Sequence, residues 1–396
     1  MSPLNVGRSA ATLLALLMAC ALRGACGVEM KSISVGGVPK QVMLFAPSNG
    51  FGASSPGTVP LVLFLRSFTC NLPDAIVGLL PAARDQQELS NSDIGLARAA
   101  ADATGAIFAL VDAPRSVKIC TVCAQSAAYA LSGNASSFAT SGERGSILLG
   151  SAVLSLAAKA GADCPAWDSG SACCQTVSKP GGDVPVVLQV LAELKSKLPS
   201  VNASNVILAG VSAGGFMALR TACDAPAGTF AGVFSFAGSA GSPSDVQRCK
   251  PPKPLPVIVA HGVKDLRVAF GGSIPGPYPQ FIGAEATLAK WASVDQCPGA
   301  TSSRNVRVGG QPSSDLRVVS YSGCRVQPVE GWFTPWGVSL CAAARSGAGL
   351  TQPRRPTGHT PPLLSDDPGR FAATEVFVSA FQRLLGQRNS VSNNAP

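Results

Sequence analysis

The sequence predicts an α/β fold with a mostly parallel central sheet that helices cover on both faces. Val59–Leu65 and Ile107–Val111 are continuous apolar runs, as expected of parallel strands that are buried on both faces. Segments with helical spacing alternate with such runs along the chain, which favours crossover connections within one sheet. In Asn205–Cys223 an apolar run meets a tight, glycine-containing turn and then a helical pattern, which predicts a strand–turn–helix unit.

The remaining elements follow from hydrophobic periodicity. Lys31–Ser48 alternates apolar and polar side chains around two glycines, which predicts an antiparallel hairpin leading into the sheet. Val184–Leu198 has apolar side chains at helical spacing and leads the chain to the strand–turn–helix unit. The other predicted elements are a helix in Ile94–Ala103, strands in Phe230–Ala237 and Pro256–Ala260 that a loop poor in helix separates, a helix in Ala284–Val294, a strand in Leu316–Tyr321 and a closing amphipathic helix in Phe371–Leu385.

Residues 1–27 have the pattern of a secretory signal peptide. Arg8 precedes the apolar run Ala10–Leu22, and small residues near Gly27 suit a cleavage site. An uncleaved membrane anchor is the alternative, although the run is shorter than the ~20 residues that span a bilayer. A lipoprotein signal through Leu17–Cys20 is a weaker alternative. We therefore expect a secreted, extracellular protein without stable membrane association after cleavage.

The rest of the chain is interpreted as a single α/β domain, residues 28–388, followed by a disordered tail, 389–396. Two insertions are expected in this domain, at about 118–180 and 322–362. The first insertion is rich in Ser, Ala, Gly and Cys without a clear period, which indicates an irregular excursion pinned by disulfides. The second is a long loop, and loops of that length in compact domains are usually functional or disordered.

Cysteine usage favours an oxidising compartment. The chain has 13 cysteines, and eleven remain once Cys20 and Cys26 leave with the signal, so several disulfides and at least one free or intermolecular thiol are expected. Two N-x-S sequons, at Asn134 and Asn202, predict glycosylation in a eukaryotic source. No metal site is predicted, because the C-x-x-C pair lacks a second pair at finger spacing and the chain has only two histidines.

The charge distribution excludes an extended nucleic-acid interface. The net charge is +9, and +7 after the two signal arginines are removed (9 − 2), but charged residues make up only 13% of the chain and the basic ones are scattered. Nucleic-acid binding would need clustered basic residues interleaved with aromatic ones. The basic residues are therefore interpreted as a solvated surface, and no nucleic-acid partner is expected.

The turn of the strand–turn–helix unit reads G-x-S-x-G, with Ser212 at its apex. In this context the pattern is a nucleophile elbow, in which glycines permit a strained backbone that lifts the serine oxygen above the sheet. Because the helix begins here, the backbone N–H of Ala213 points to where an oxyanion would form. A purely structural turn is the alternative, since the pattern recurs by chance in a chain with 42 glycines.

A serine nucleophile needs a base, and the base needs an orienting carboxylate. His261 directly follows a buried strand and is interpreted as a packing residue that supports the acid loop, whereas His359 lies in a loop before the last helix. Asp265 follows the same strand end and is the candidate acid, with turn capping as its structural alternative. Ser212, Asp265 and His359 occur in the nucleophile–acid–base order of α/β-hydrolases. A pair of Ser212 and His261 is the less favoured arrangement.

A wider set of motifs supports this interpretation across residues 40–386. The motifs are Trp167-Asp168-Ser169-Gly170, Cys173-Cys174, Asp183-Val184, the elbow helix ending at Cys223, Phe236-Ala237-Gly238, the segment from His261 to Asp265, Trp291 with Cys297, and Cys324 before Gly358-His359-Thr360. Together they resemble the secreted esterase family that includes polyhydroxybutyrate depolymerases and feruloyl or acetylxylan esterases.

This resemblance implies an α/β-hydrolase fold, no cofactor, and hydrolysis of carboxylic esters through an acyl-serine. It implies that Ser212 is the nucleophile, His359 the general base and acid, and Asp265 the orienting carboxylate. It also makes Cys297 and Cys324 candidates for a disulfide. The implied substrate is an ester-bearing small molecule or polymer, with a feruloyl, acetyl or polyhydroxyalkanoate ester.

One departure from the family lies in the turn after the first buried strand. These enzymes usually carry His-Gly there, whereas this chain has Arg66-Ser67, and the second oxyanion donor would be the backbone N–H of Phe68. The Arg66 side chain is a candidate to recognise an acidic group on the substrate. Trp332 and Trp336 are candidates to line the substrate cleft, with packing of their loop onto the body as an equal alternative.

Two other functions stay open at this point. A serine peptidase of the prolyl oligopeptidase type shares the elbow and the residue order, but such enzymes normally carry a large extra domain for which this chain has no room. A catalytically weakened hydrolase fold that binds a cell-wall polymer is favoured by the Arg66-Ser67 departure and opposed by the intact set of Ser212, Asp265 and His359.

Overall fold

The computed structural model of the chain describes eleven stretches of the sequence. These are residues 28–35, 38–47, 55–67, 97–116, 165–173, 182–265, 267–274, 280–299, 301–307, 315–335 and 368–387. The proposed signal peptide, Phe68, Asn134, Trp336 and His359 lie outside them. The predictions for those residues therefore stay predictions.

A ten-stranded sheet forms the centre of the molecule. Its spatial order is β1-β2-β4-β3-β7-β8-β9-β12-β11-β10, and the strands from β4 to β12 run parallel while both edges are antiparallel. The strands are β1 Val28–Val35, β2 Val38–Phe45, β3 Val59–Leu65, β4 Ile107–Val111, β7 Val201–Val211, β8 Gly232–Phe236, β9 Val257–Gly262, β10 Thr301–Arg307, β11 Asp315–Tyr321 and β12 Val329–Thr334. A separate short pair joins β5 Arg115–Ser116 to β6 Pro165–Ala166.

Helices cover both faces of this sheet. They are α1 (97–104), α2 Val184–Lys197, α3 Ala213–Asp224, α4 Pro243–Arg248, α5 Ala284–Val294 and α6 Pro368–Leu384. The helices α2 and α3 pack on one face with the core of β3 and β7, and α1 and α6 pack on the other. None of the helices in the described stretches is both long and apolar enough to cross a membrane.

The two faces carry separate hydrophobic cores, because successive side chains of a strand point to opposite faces. On the α6 face, the rings of Phe377 and Phe381 pack edge-on against Phe234, with centroids 5.1 and 5.3 Å away, and Phe381 also packs edge-on against Phe108 at 4.9 Å. All four side chains are almost fully buried. This aromatic cluster fixes α6, the helix that follows the segment containing His359.

The main predictions for the fold are confirmed. The sheet is mostly parallel and doubly covered, and the hairpin closes as predicted, with Val35 paired to Val38. Two expectations were wrong. The strand β12 lies within the segment predicted to be an insertion loop, and the short helix α4 lies in the connection predicted to be poor in helix. The strand β10 was missed because its sequence, TSSRNVR, is polar and has no apolar run.

Two disulfides lie within the described stretches. One joins Cys297 to Cys324, as the family resemblance implied, and ties the end of α5 to the β11–β12 connection. The other joins Cys223, at the end of α3, to Cys249, which follows α4. Cys173 is also disulfide-bonded. These bonds agree with the expectation of several disulfides.

Candidate functional site

Ser212 occupies a sharp turn between the carboxyl end of β7 and the start of α3. Its backbone has φ 54° and ψ −120°, a conformation that costs a non-glycine residue roughly 1–3 kcal/mol. Neighbouring structure holds it there. The N–H of Ser212 donates to the carbonyl of Phe236 (2.8 Å), and its carbonyl accepts from the N–H of Phe216 (3.0 Å). Such strain at the apex of a strand–turn–helix unit is typical of a nucleophile elbow.

The glycines of the elbow are required by close backbone approach. A Cβ atom at Gly210 would overlap the carbonyl oxygen of Gly214. A Cβ atom at Gly214 would overlap the carbonyl oxygen of Leu65 and lie 2.7 Å from that of Arg66. The first turn of α3 therefore packs directly against the turn that follows β3. We call this contact the glycine contact.

The turn that follows β3 is held by several groups besides the glycine contact. The N–H of Arg66 donates to the carbonyl of Val111 (3.1 Å), and the carbonyl of Arg66 accepts from the indole N–H of Trp167 (3.0 Å). The guanidinium of Arg66 is buried and forms an ion pair with Asp112 at 2.8 Å. A substrate carboxylate would have to compete with Asp112, and the substrate-binding role of Arg66 stays a prediction.

Asp265 lies at the carboxyl end of β9, two strands away from β7. Its carboxylate is fully buried, and Oδ1 accepts from the backbone N–H groups of Arg267 (2.7 Å) and Val268 (3.0 Å). Adjacent strands lie about 4.8 Å apart, so Asp265 and the elbow are separated by roughly 10 Å across the sheet. An imidazole that makes one hydrogen bond on each side spans about 8 Å. The spacing therefore leaves room for a histidine between them.

His261 supports the Asp265 loop from below, as the sequence indicated. The Nε2 atom of His261 lies 2.7 Å from the carbonyl oxygen of Val268 and 3.5 Å from Oδ2 of Asp265. Since a carbonyl only accepts, Nε2 carries the proton in this hydrogen bond. The ring is buried and packs edge-on against Phe270 at 5.9 Å. His261 therefore connects the strand end to the loop that presents the acid.

The segment 165–173 contacts the turn that follows β3, and this contact was not predicted from the sequence. Besides the Trp167 bond, the N–H of Asp168 donates to Oδ2 of Asp183 (2.8 Å), and the N–H of Asp183 donates to the carbonyl of Asp168 (2.9 Å). Asp183 is the residue before α2. The motif Trp-Asp-Ser-Gly contributed to the family resemblance, but only the structure shows that Trp167 donates a hydrogen bond to the β3 turn.

Asp245 anchors the far end of this segment. Burial alone would raise the pKa of Asp245, but hydrogen bonds from the side chain and backbone of Ser242, a hydrogen bond from Ser171 and the charge of Arg248 outweigh it and hold the pKa below its usual value. The Ser242 hydroxyl lies 2.7 Å and the Ser171 hydroxyl 3.0 Å from Oδ2. This ionised carboxylate ties the 165–173 segment to α4.

The structure contradicts the prediction that Trp332 lines the substrate cleft. It belongs to β12 and is 1% exposed, with its indole N–H donating to Oε2 of Glu330 (2.9 Å). Glu330 in turn accepts from Arg383 of α6 (2.9 Å). Trp332 therefore packs in the core instead of lining a cleft, because β12 is an interior strand whose side chains are all buried. The packing alternative holds for this residue.

Two other predictions concern Asn202 and metals. Asn202 is partly buried near the start of β7, and its Oδ1 accepts from the N–H of Ser204 (3.0 Å); its glycosylation stays a prediction. Within the described stretches, no cluster of three or more His, Cys, Asp or Glu side chains is arranged to hold a metal ion.

Comparison with known proteins finds a family match in the part of the chain that contains Ser212 and Asp265. Residues 183–273, which run from the start of α2 past Asp265, match the family model described as Phospholipase/Carboxylesterase. Feruloyl esterase B of Piromyces equi is 28% identical over 138 residues, which are 34% of this chain and 25% of that protein. The match thus spans a quarter of the length of that relative.

Solved structures of similar fold include esterases and a peptidase. Acetyl xylan esterase from Aspergillus awamori is 11% identical with a TM-score of 0.38, over 77% of this chain and 92% of that one. A thermostable esterase is 15% identical with a TM-score of 0.36, over 68% of this chain and 52% of that one. The Pyrococcus horikoshii acylaminoacyl peptidase is 10% identical with a TM-score of 0.34, over 71% of this chain and 37% of that one. The strand order, the strained serine after β7 and the family match across it identify an α/β-hydrolase fold in this chain.

Proposed function

We propose that the protein is a carboxylic ester hydrolase that works through an acyl-serine intermediate. The observation that carries this proposal is the strained backbone of Ser212 at the carboxyl end of β7. A serine in ordinary helix-capping geometry would not need a positive φ, and such strain persists only where the surroundings enforce it. The match of residues 183–273 to Phospholipase/Carboxylesterase supports ester hydrolysis as the reaction.

In the proposed reaction the Ser212 hydroxyl attacks the acyl carbon while His359 accepts its proton. Asp265 orients the imidazole and stabilises its positive charge. The backbone N–H groups of Ala213 and Phe68 stabilise the oxyanion, and His359 then returns the proton to the leaving alcohol. Water, activated by the same histidine, hydrolyses the acyl-serine. The position of Asp265 two strands from the elbow supports this assignment.

For the substrate, we propose a polymer-linked ester with a feruloyl, acetyl or hydroxyalkanoate acyl group. The stretch that resembles Feruloyl esterase B supports this class. We propose secretion as well, because the bonds Cys223–Cys249 and Cys297–Cys324 suit an oxidising compartment. A screen with p-nitrophenyl esters of increasing chain length, methyl ferulate and a polyester film would rank the candidates. Cleavage confined to long acyl chains would count against the feruloyl and acetyl groups.

Labelling with a fluorophosphonate probe tests the reaction itself. We expect the folded protein to be labelled and the Ser212→Ala variant to be neither labelled nor active. Ser235→Ala is the matched control, because Ser235 is a buried serine of the neighbouring strand β8 and should leave labelling unchanged. Labelling that persists in Ser212→Ala would refute the assignment of the nucleophile. Folded protein without labelling would instead favour the polymer-binding alternative, which Arg66 and Ser67 suggested.

A further inference from the structure

The hydroxyl of Ser67 is buried without a hydrogen-bond partner among the described residues. The residue is only 3% exposed. A buried hydroxyl that gives up water without gaining a partner destabilises a folded protein, and native structures contain few such groups. The position of Ser67 in the fold offers a reason why this hydroxyl is buried without a partner.

The sheet register brings Ser67 beside the proposed nucleophile. Leu65 of β3 is paired with Gly210 of β7 in a parallel ladder. Two residues after this pair, beyond the ends of both strands, lie Ser67 after β3 and Ser212 after β7. Neighbouring strands are about 4.8 Å apart, and the glycine contact holds the two turns together beyond the end of the ladder.

Among the described residues, the Ser67 hydroxyl makes no hydrogen bond that would hold the turn. The N–H, the carbonyl and the guanidinium of Arg66 are bonded to Val111, Trp167 and Asp112 respectively. These bonds and the glycine contact fix the backbone of the turn without the Ser67 side chain. Its hydroxyl is therefore held in place by the scaffold and keeps its proton available to a group that enters the site.

We propose that the Ser67 hydroxyl donates a hydrogen bond to the acyl oxygen of the substrate as negative charge develops on it. It would act as a side-chain donor in addition to the proposed backbone donor Ala213, and its proton stays on Ser67 throughout. The role rests on the proposed function of Ser212. It also gives a physical reason for a serine at a position where the resembling esterases usually carry glycine.

Two other hydroxyls in the described stretches, those of Ser235 and Thr221, are also buried without a partner. Ser235 packs beneath the elbow, where a Cβ atom at Gly215 or Gly238 would lie 2.9 or 2.6 Å from its oxygen. That places it between β8 and α3, inside the protein. Ser235 therefore provides a control that shares the burial of Ser67 but cannot meet a substrate.

The test compares Ser67→Ala with Ser235→Ala. For each variant, kcat and KM are measured with a p-nitrophenyl ester, and Tm is measured on the protein alone. Removing one oxyanion donor typically lowers kcat by about 100- to 1000-fold, and for this hydroxyl we expect a loss of at least about tenfold. We expect KM to change less than about threefold, since the bond strengthens with developing charge. The Tm of both variants should be equal to or higher than that of the wild type, because a hydroxyl without a partner is removed.

Two results would overturn the proposal. One is a kcat of Ser67→Ala that falls by less than about tenfold from the wild type. The other is a fall in the Tm of Ser67→Ala together with a similar loss of activity in Ser235→Ala, which would assign Ser67 a structural role. Ser212→Ala, measured in parallel, distinguishes a failure of the proposed function from a failure of the Ser67 role alone. If wild-type turnover does not depend on Ser212, the proposed function fails and the Ser67 role fails with it. If turnover depends on Ser212 but not on Ser67, only the Ser67 role fails.

Discussion

We predict that the stability of the protein depends on pH through Asp295. It follows the last residue of α5, at the end of the sheet opposite the candidate site, and its side chain has no exposed surface. Neither carboxyl oxygen has a hydrogen bond of normal length within the described stretches. Burial raises the pKa of Asp295 to about 7, and a weaker contact with the backbone of Leu255 offsets only part of this effect.

The sign and size of this change in stability follow from the linkage between proton binding and folding. The carboxyl has a pKa of 3.8 before perturbation and about 7 in the folded protein, so the folded state keeps a proton that the unfolded state releases. Stability is therefore complete below pH ~4 and is lost as the pH rises towards 7. Each pKa unit is worth ~1.4 kcal/mol, which sets an upper limit of ~4 kcal/mol on the loss.

The assay is urea unfolding of the wild type and Asp295→Asn between pH 4.5 and 8. The amide cannot ionise, so the stability difference should shift in favour of the variant as the pH rises, by ~2–4 kcal/mol between the two ends. The control is Asp102→Asn, because Asp102 is exposed on α1. A difference between the wild type and Asp295→Asn that stays constant over this range would refute the reasoning.

Three further predictions concern the scaffold. Gly214→Ala should abolish soluble folded protein, because its Cβ would overlap the Leu65 carbonyl, and a monomeric peak with native circular dichroism would contradict this. Phe381→Ala should lower the free energy of unfolding by ~3–5 kcal/mol in a denaturant titration, and a loss below ~1 kcal/mol would show that the aromatic cluster does not anchor α6. Replacing Cys297 and Cys324 together by serine should cost ~3–4 kcal/mol, since the bond closes a loop with a sequence separation of 27, and an unchanged denaturation midpoint would count against it.

The elements around the elbow were predictable because their signals are local. The buried run before Ser212, the glycines of the turn and the helical spacing after it lie within one short stretch of sequence. All three follow from steric and hydrophobic rules that act over a few residues. The helix Ala284–Val294 was predicted with the boundaries that it has in the structure, for the same reason.

Features that depend on distant partners were not predictable. Trp332 seemed to belong to a long loop because its surroundings are rich in proline and glycine, yet pairing with β9 and β11 makes it part of an interior strand. The brace of Trp167 on the Arg66 carbonyl joins residues 101 positions apart. No periodicity within either segment encodes such a contact. The order of Ser212 and Asp265 along the chain could be read from the sequence. Their separation across the sheet could not, because it depends on the order of the strands in the sheet.

The glycine contact also limits which substitutions this part of the protein can accept. Backbone oxygens already fill the space that any side chain at position 214 would need, so the contact between the two turns cannot tolerate added volume. Under the proposed function, new acyl or alcohol preferences would arise from segments that approach this centre from outside. We expect laboratory evolution for altered substrates to collect its productive substitutions there, and to leave residues 210 and 214 untouched.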